Sequence, residues 1–98
     1  MQFEFTGPVY LWEARTEAWY FTSLPEDISE MIAEIPRPTR GFGAVRVDAR
    51  IGLTRFRTSI FPDAKKAAYV LPLKRSVRDA EGIADGDEIT VELVVLDA

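Results

Sequence analysis

Apolar and polar residues alternate along two neighbouring segments, residues 45–51 and 54–60, which are joined by a two-residue connection beginning with Gly52. A period of two predicts β-strands, and a two-residue connection with glycine first predicts a tight hairpin turn. This turn places Ile51 opposite Thr54 and thereby determines every other pair. Since a slip of one residue would mix the two faces, the alternation itself supports the register. The inward face then carries Val45, Val47, Ala49 and Ile51 opposite Ile60, Thr58, Phe56 and Thr54.

The outward face of this predicted hairpin is rich in arginine. The predicted register puts Arg50 directly opposite Arg55 and puts Asp48 opposite Arg57. Directly opposed like charges destabilise a sheet, so the Arg50–Arg55 pair requires an acidic group nearby. Four arginines share this face, namely Arg46, Arg50, Arg55 and Arg57.

Two sources of negative charge are consistent with the sequence. A phosphate or carboxylate ligand would supply it, because arginine pairs bind such groups bidentately. Acids on the first and last strands of the chain would also supply this negative charge. We favour such internal pairing because it needs no partner. The candidate acids on the first and last strands are Glu4, Glu13, Glu88 and Glu92.

Charge is segregated along the chain, although the formal total is only −4. Residues 37–78 contain 11 of the 12 basic residues and two of the 16 acids, and the flanking residues contain the other 14 acids. Such a basic middle either folds against the acidic ends or forms an electropositive surface for an anionic partner. An overall pI near 4.8 disfavours nucleic-acid binding, which needs a net basic footprint.

The chain contains no cysteine and no histidine. Their absence excludes disulfides, Ser-His and Cys-His nucleophile pairs and ordinary zinc sites. The nearest candidate for a hard cation is Asp85, Asp87 and Glu88, but Asp-Gly before a β-rich segment is typical of a turn. We therefore predict no catalytic residue, no metal site and no cofactor, and catalysis is the least supported class of function.

The rest of the chain also reads mainly as strands. Residues 3–14 predict one long strand bent at Gly7 and Pro8, and residues 18–24 predict a second strand after a turn. Residues 68–73 and 88–97 predict two further strands, the last with alternate residues pointing inward.

Two short helices interrupt the strands. Apolar residues at positions 28, 31, 32 and 35 have helical spacing and are expected to cover the core. Ser76 and Asp79 fit a capping box, and Gly82 fits a carboxyl-terminal cap. The fold expected from all segments is mainly β, a small closed or nearly closed β-barrel of about six strands with two short helices.

The sequence also resembles the DUF1905 family, small bacterial domains of unknown function. The similar segments are Leu24-Pro25 before the first helix, residues 45–52 with 54–62, and residues 69–93. The most specific of them places Lys74 and Val77-Arg78 before Gly82 and Gly86-Asp87. The resemblance implies a compact β-barrel with helical excursions, a bacterial and cytoplasmic origin and no established activity.

We expect a single domain over residues 1–98, without a signal peptide or a membrane span. One interpretation of its function is a binding module for a small anionic ligand. The alternative is a structural or homo-oligomeric module with internally paired arginines and exposed Trp12, Trp19 or Tyr20. Nucleic-acid binding is less favoured, and the oligomeric state stays open. The candidate ligand-binding residues are Arg46, Arg50, Arg55, Arg57, Lys74 and Arg78.

Overall fold

The computed structural model describes residues 1–14, 17–35, 43–63, 65 and 67–96, with the backbone alone at residues 13, 14 and 17. Within these residues the chain forms six strands and two helices, so the prediction of a mainly β fold is confirmed. The elements in chain order are β1 Gln2–Ala14, β2 Glu17–Ser23, α1 Glu26–Ala33, β3 Val45–Ile51, β4 Thr54–Asp63, β5 Ala68–Pro72, α2 Arg75–Glu81 and β6 Glu88–Val95.

The strands close into an antiparallel barrel in the order β1, β2, β5, β4, β3, β6. Pairing of β1 with β6 completes the ring. Two connections join strands that are not neighbours in the barrel, and each contains one of the helices. None of the helices in the described residues is long and apolar enough to cross a membrane.

The predicted central hairpin is confirmed pair by pair. Ile51 lies opposite Thr54, Arg50 opposite Arg55, and the pairing continues to Val45 and Ile60. The turn requires glycine, because Gly52 has a φ of +59°. A Cβ at that position would also collide with the carboxylate of Glu81 in α2.

The barrel interior is filled by aliphatic side chains from alternate strand positions. Along β6 the pattern agrees with the prediction, since Ile89, Val91, Leu93 and Val95 are buried. Helix α1 packs against β5, and α2 packs against β4. The helices contribute buried side chains of their own, namely Ile28 and Ile32 from α1 and Val77 from α2.

Two details of the predicted helices are wrong. Met31 is 44% exposed and does not cover the core. The predicted capping box is also absent, because α2 begins at Arg75 and its N-cap residue, Lys74, forms no side-chain capping bond. Asp79 instead pairs with Arg75 at 3.5 Å. The start of α2 follows from strand pairing, since the Leu73 N–H still donates to the Tyr20 carbonyl at 2.8 Å. The predicted glycine cap is confirmed by the left-handed Gly82.

Substitution of Gly52 tests the turn. We expect Gly52→Ala to lower the free energy of unfolding by about 1 kcal/mol or more, because alanine is strained at positive φ. The added methyl group also displaces Glu81, which accepts a 2.6 Å hydrogen bond from the Thr54 hydroxyl. Chemical denaturation measures the loss. Leu53→Ala is the matched control, since Leu53 is 96% exposed in the same turn, and equal stabilities of the two variants would contradict this prediction.

Candidate functional site

The outer face of the central hairpin continues across β6 and β1 as a row of four charged residues. The strand registers align Glu4 with Glu92, Glu92 with Arg50, and Arg50 with Arg55. Two acids therefore lie side by side, followed by two bases. The row is electrically neutral, and its oppositely charged members meet in the middle.

Arg50 is held by two groups. Its Nε donates to Glu92 Oε2 at 2.9 Å, its Nη2 contacts Glu92 Oε1, and its Nη1 donates to the Gly52 carbonyl at 2.8 Å. The hydrogen bond from Arg50 holds the pKa of Glu92 below its ordinary value. The prediction that an acid of an outer strand compensates the Arg50–Arg55 pair is confirmed for Glu92.

The second charged pair on this face is Arg57 with Asp48. Arg57 Nε donates to Asp48 Oδ1 at 2.9 Å, and Nη2 lies 3.4 Å from Oδ2. This hydrogen bond lowers the pKa of Asp48. The side chains of Arg46 and Arg55 are exposed, and within the described chain the Arg55 side chain forms no ion pair or hydrogen bond.

The six candidate residues do not converge on one site. Arg50, Arg55 and Arg57 line a shallow cavity of about 510 Å³. Glu92 and Asp48, the partners of Arg50 and Arg57, line the same cavity. Lys74 and Arg78 line a second, larger groove of about 820 Å³. Positive charge is thus largely compensated in the first cavity, and the second cavity has different lining residues.

The larger groove exists because β5 is short. β5 pairs with β2 only at Phe21–Ser23 and with β4 only at Phe61–Asp63. In the described structure the first halves of β2 and β4 therefore have no strand between them. Residues Leu73–Arg78 cross this opening, with Leu73 and Val77 buried. We call the resulting cavity, bounded by β2, β4 and α2, the aromatic groove.

One wall of the aromatic groove exposes large aromatic rings. Trp12 and Trp19 lie directly opposite each other on β1 and β2 and are 53% and 46% exposed. The Trp19 ring stacks on Phe21 at a centroid distance of 6.4 Å and an interplanar angle of 11°. Phe61, 40% exposed, lines the groove from β4. Aromatic side chains from three strands, β1, β2 and β4, therefore line one cavity.

The rim of the groove is basic. Lys74, Arg75 and Arg78 line it, and the described lining residues include no acid. The Arg78 guanidinium carbon lies 3.9 Å from the centroid of the Tyr20 ring, and Nε donates to the Leu73 carbonyl at 3.0 Å. The structure thus joins an apolar wall to two cations without a carboxylate partner among the described residues, Lys74 and Arg78, and to Arg75, which pairs with Asp79.

Sequence reasoning found this groove only in part. Lys74 and Arg78 are among the predicted ligand contacts, and Trp12, Trp19 or Tyr20 are the exposed aromatics of the homo-oligomer alternative. Trp12 and Trp19 are exposed, whereas Tyr20 is half-buried against the core. Arg75, Phe21 and Phe61 were missed. A signal was present, because the alternation in the first two strands places aromatic residues on their outward faces.

The acidic turn before β6 has a structural role. Asp85 Oδ1 accepts a 3.0 Å hydrogen bond from the Leu11 N–H, and Asp87 Oδ2 accepts one of 2.8 Å from the Ala84 N–H. The predicted turn is confirmed at these residues. No group of three or more acids in the described part of the chain is arranged to hold a metal ion.

The family model described as "Domain of unknown function (DUF1905)" matches residues 5–93 of the 98-residue chain. No curated protein matches the sequence.

Replacement of Arg50 tests the charge row. We expect Arg50→Ala to destabilise the fold, because Glu92 loses its partner and remains beside Glu4. Arg55→Ala is the matched control and is expected to change stability little, since its repulsion with Arg50 opposes its attraction to Glu92 and Asp48. Thermal and chemical unfolding of both variants measure the difference. The reverse order of stabilities would contradict this arrangement.

The lowered pKa of Glu92 predicts a pH dependence. A carboxyl group with a lower pKa in the folded state stabilises the fold above its unfolded pKa, and this contribution disappears as the pH falls through the folded pKa. We expect the stability advantage of the wild type over Arg50→Ala to shrink as the pH is lowered from about 5. Urea denaturation at several pH values measures it, and a difference independent of pH would contradict the assignment.

Proposed function

We propose that this chain, which belongs to the DUF1905 family of domains of unknown function, is a binding module for a small anionic ligand. The ligand would have a flat apolar body and would be held in the aromatic groove. The observation that carries the proposal is the exposed aromatic wall beside three cations, with no acid among the described lining residues. Apolar rings recruit the body of the ligand, and the basic rim selects its charge.

The size and composition of the groove fit a small molecule. Its volume of about 820 Å³ lies within the usual range for ligand sites. Trp12, Trp19 and Phe61 expose apolar area that a ligand would remove from water, which contributes roughly 25 cal/mol per Å². The aromatic rings also favour a planar ligand, because stacked or tilted ring pairs add attraction beyond burial.

The aromatic groove supports anion binding better than the arginine face of the hairpin. On that face Glu92 and Asp48 already bind Arg50 and Arg57, so a ligand would compete with carboxylates of the protein. In the groove only Arg75 has a carboxylate partner among the described residues, the exposed Asp79, so Lys74 and Arg78 are offered without such competition. Our proposal therefore keeps the predicted ligand class and two of the predicted residues, Lys74 and Arg78.

A second copy of the chain is a less suitable occupant. In a symmetric dimer the same surface of both copies meets across the axis. The basic rims of both copies would then lie in one interface, with no lining acid in the described residues to offset them. Nucleic acid is disfavoured by the net charge of −4.

Nuclear magnetic resonance tests the proposal directly, because Trp12 and Trp19 are the only tryptophans in the chain and both line the groove. We expect 2-naphthoate to shift both indole N–H resonances, and the uncharged 2-naphthamide to bind more weakly. Since screening weakens exposed electrostatic attraction, added salt should reduce the difference. Trp19→Ala should weaken naphthoate binding about tenfold, as expected for the loss of one stacking partner.

Met31→Ala is the control for Trp19→Ala, since Met31 is a similarly exposed apolar residue that does not line the groove. Its affinity for 2-naphthoate should equal that of the wild type. Indole resonances unmoved by either compound would contradict the proposal. Resonances that move instead with protein concentration, together with a dimer in sedimentation, would assign the groove to a second copy.

A further inference from the structure

We infer that Arg78 determines the specificity of the aromatic groove and that the ligand carries its charge as a carboxylate or phosphate held by this residue. The inference rests on the proposed function. It separates the three rim cations by role, with Arg78 recognising the acid group and Lys74 and Arg75 supplying general attraction.

The guanidinium of Arg78 is already oriented. Its Nε–H donates to the Leu73 carbonyl at 3.0 Å, and its plane is supported by the Tyr20 ring, 3.9 Å from the guanidinium carbon. Tyr20 in turn packs against the hydrophobic core. A side chain held by a hydrogen bond and a cation–π contact loses less conformational entropy when it binds a ligand.

The backbone that carries Arg78 is equally well held. The neighbouring Val77 is buried in the core, and the Arg78 carbonyl accepts a 2.9 Å hydrogen bond from the Ile83 N–H. At the end of the helix, Glu81 accepts a hydrogen bond from Thr54 of β4. The position of Arg78 relative to the barrel is therefore determined without a ligand.

The remaining donors of Arg78 point to an oxyanion. A guanidinium has five N–H groups, and one of them is used by Leu73. The four on the two Nη atoms donate to no other residue in the described part of the chain. Two parallel N–H groups at the end of an arginine match the two oxygens of a carboxylate or phosphate. A single uncharged acceptor would leave half of this fork unused.

The other rim cations lack this organisation. The Arg75 side chain is 85% exposed and pairs with Asp79 on the next turn of α2. Lys74 is exposed, and an ammonium group acts as a point charge without a planar fork. Exposed charges of this kind attract an anion weakly and are screened by salt.

Conservative and neutralising variants test this division of roles. We expect Arg78→Lys, which keeps the charge but loses the fork and the stacking, to weaken binding of 2-naphthoate and 2-naphthyl phosphate at least tenfold. Its affinity for 2-naphthamide should stay within about twofold of the wild type, because the aromatic wall is unchanged. Lys74→Gln and Arg75→Gln should weaken binding of the two anions by less than about threefold, and only at low salt. Titration calorimetry measures all affinities, and dispersed amide spectra confirm that each variant is folded.

The outcomes separate this inference from the proposed function. Two results overturn the role of Arg78 while the groove remains a binding site. The first is that Arg78→Lys binds both anions like the wild type. The second is that Lys74→Gln or Arg75→Gln loses as much affinity as Arg78→Lys. Equal loss of 2-naphthamide binding in Arg78→Lys also overturns it, because the residue would then shape the groove rather than select the acid. Wild-type protein that binds none of the three compounds overturns both proposals.

Discussion

The central constraint in this barrel is that β5 is too short for its place between two longer strands. Each of its neighbours extends past it, since β2 pairs with it over Phe21–Ser23 and β4 over Phe61–Asp63. The chain fills the opening with the segment from Leu73 to Arg78, whose buried Leu73 and Val77 complete the core. The same opening leaves Trp19, in the first part of β2, without a strand beside it on the β5 side. Core completion and groove formation are therefore two results of one topological feature.

Charge has a different role on each side of the molecule. On the hairpin face, the strand registers set Glu4, Glu92, Arg50 and Arg55 in one row, so that like charges are neighbours and opposite charges meet at the centre. Glu92 thereby pairs with Arg50, and the hydrogen bond from Arg50 lowers the pKa of Glu92. At the groove Arg78 lies over the Tyr20 ring, and only Arg75 has a described carboxylate partner, Asp79. The basic residues of the middle segment thus divide between a surface where carboxylates pair with Arg50 and Arg57 and a groove where two of three cations have no such partner in the described chain.

Several elements could be predicted from the sequence because their causes are local. The hairpin register follows from a two-residue glycine turn and a period of two, and the left-handed Gly82 follows from its place at the end of the second predicted helix. The capping box was wrong because a longer-range bond, from the Leu73 N–H to the Tyr20 carbonyl, sets where α2 begins. For the site, Lys74 and Arg78 could be named as candidate basic residues. The sequence could not predict that they lie in a different cavity from the hairpin arginines.

The sequence by itself determined the strand faces, the hairpin register, the type of fold and the types of chemistry that lack of cysteine and histidine excludes. These depend on side-chain alternation, turn geometry and composition, which are properties of neighbouring residues. Only the tertiary structure decided which acid pairs with Arg50, that β5 leaves an opening, and that Trp12, Trp19 and Arg78 line one groove. Those results depend on pairings between strands far apart in the chain, and a period of two orients side chains without specifying which strand becomes the neighbour.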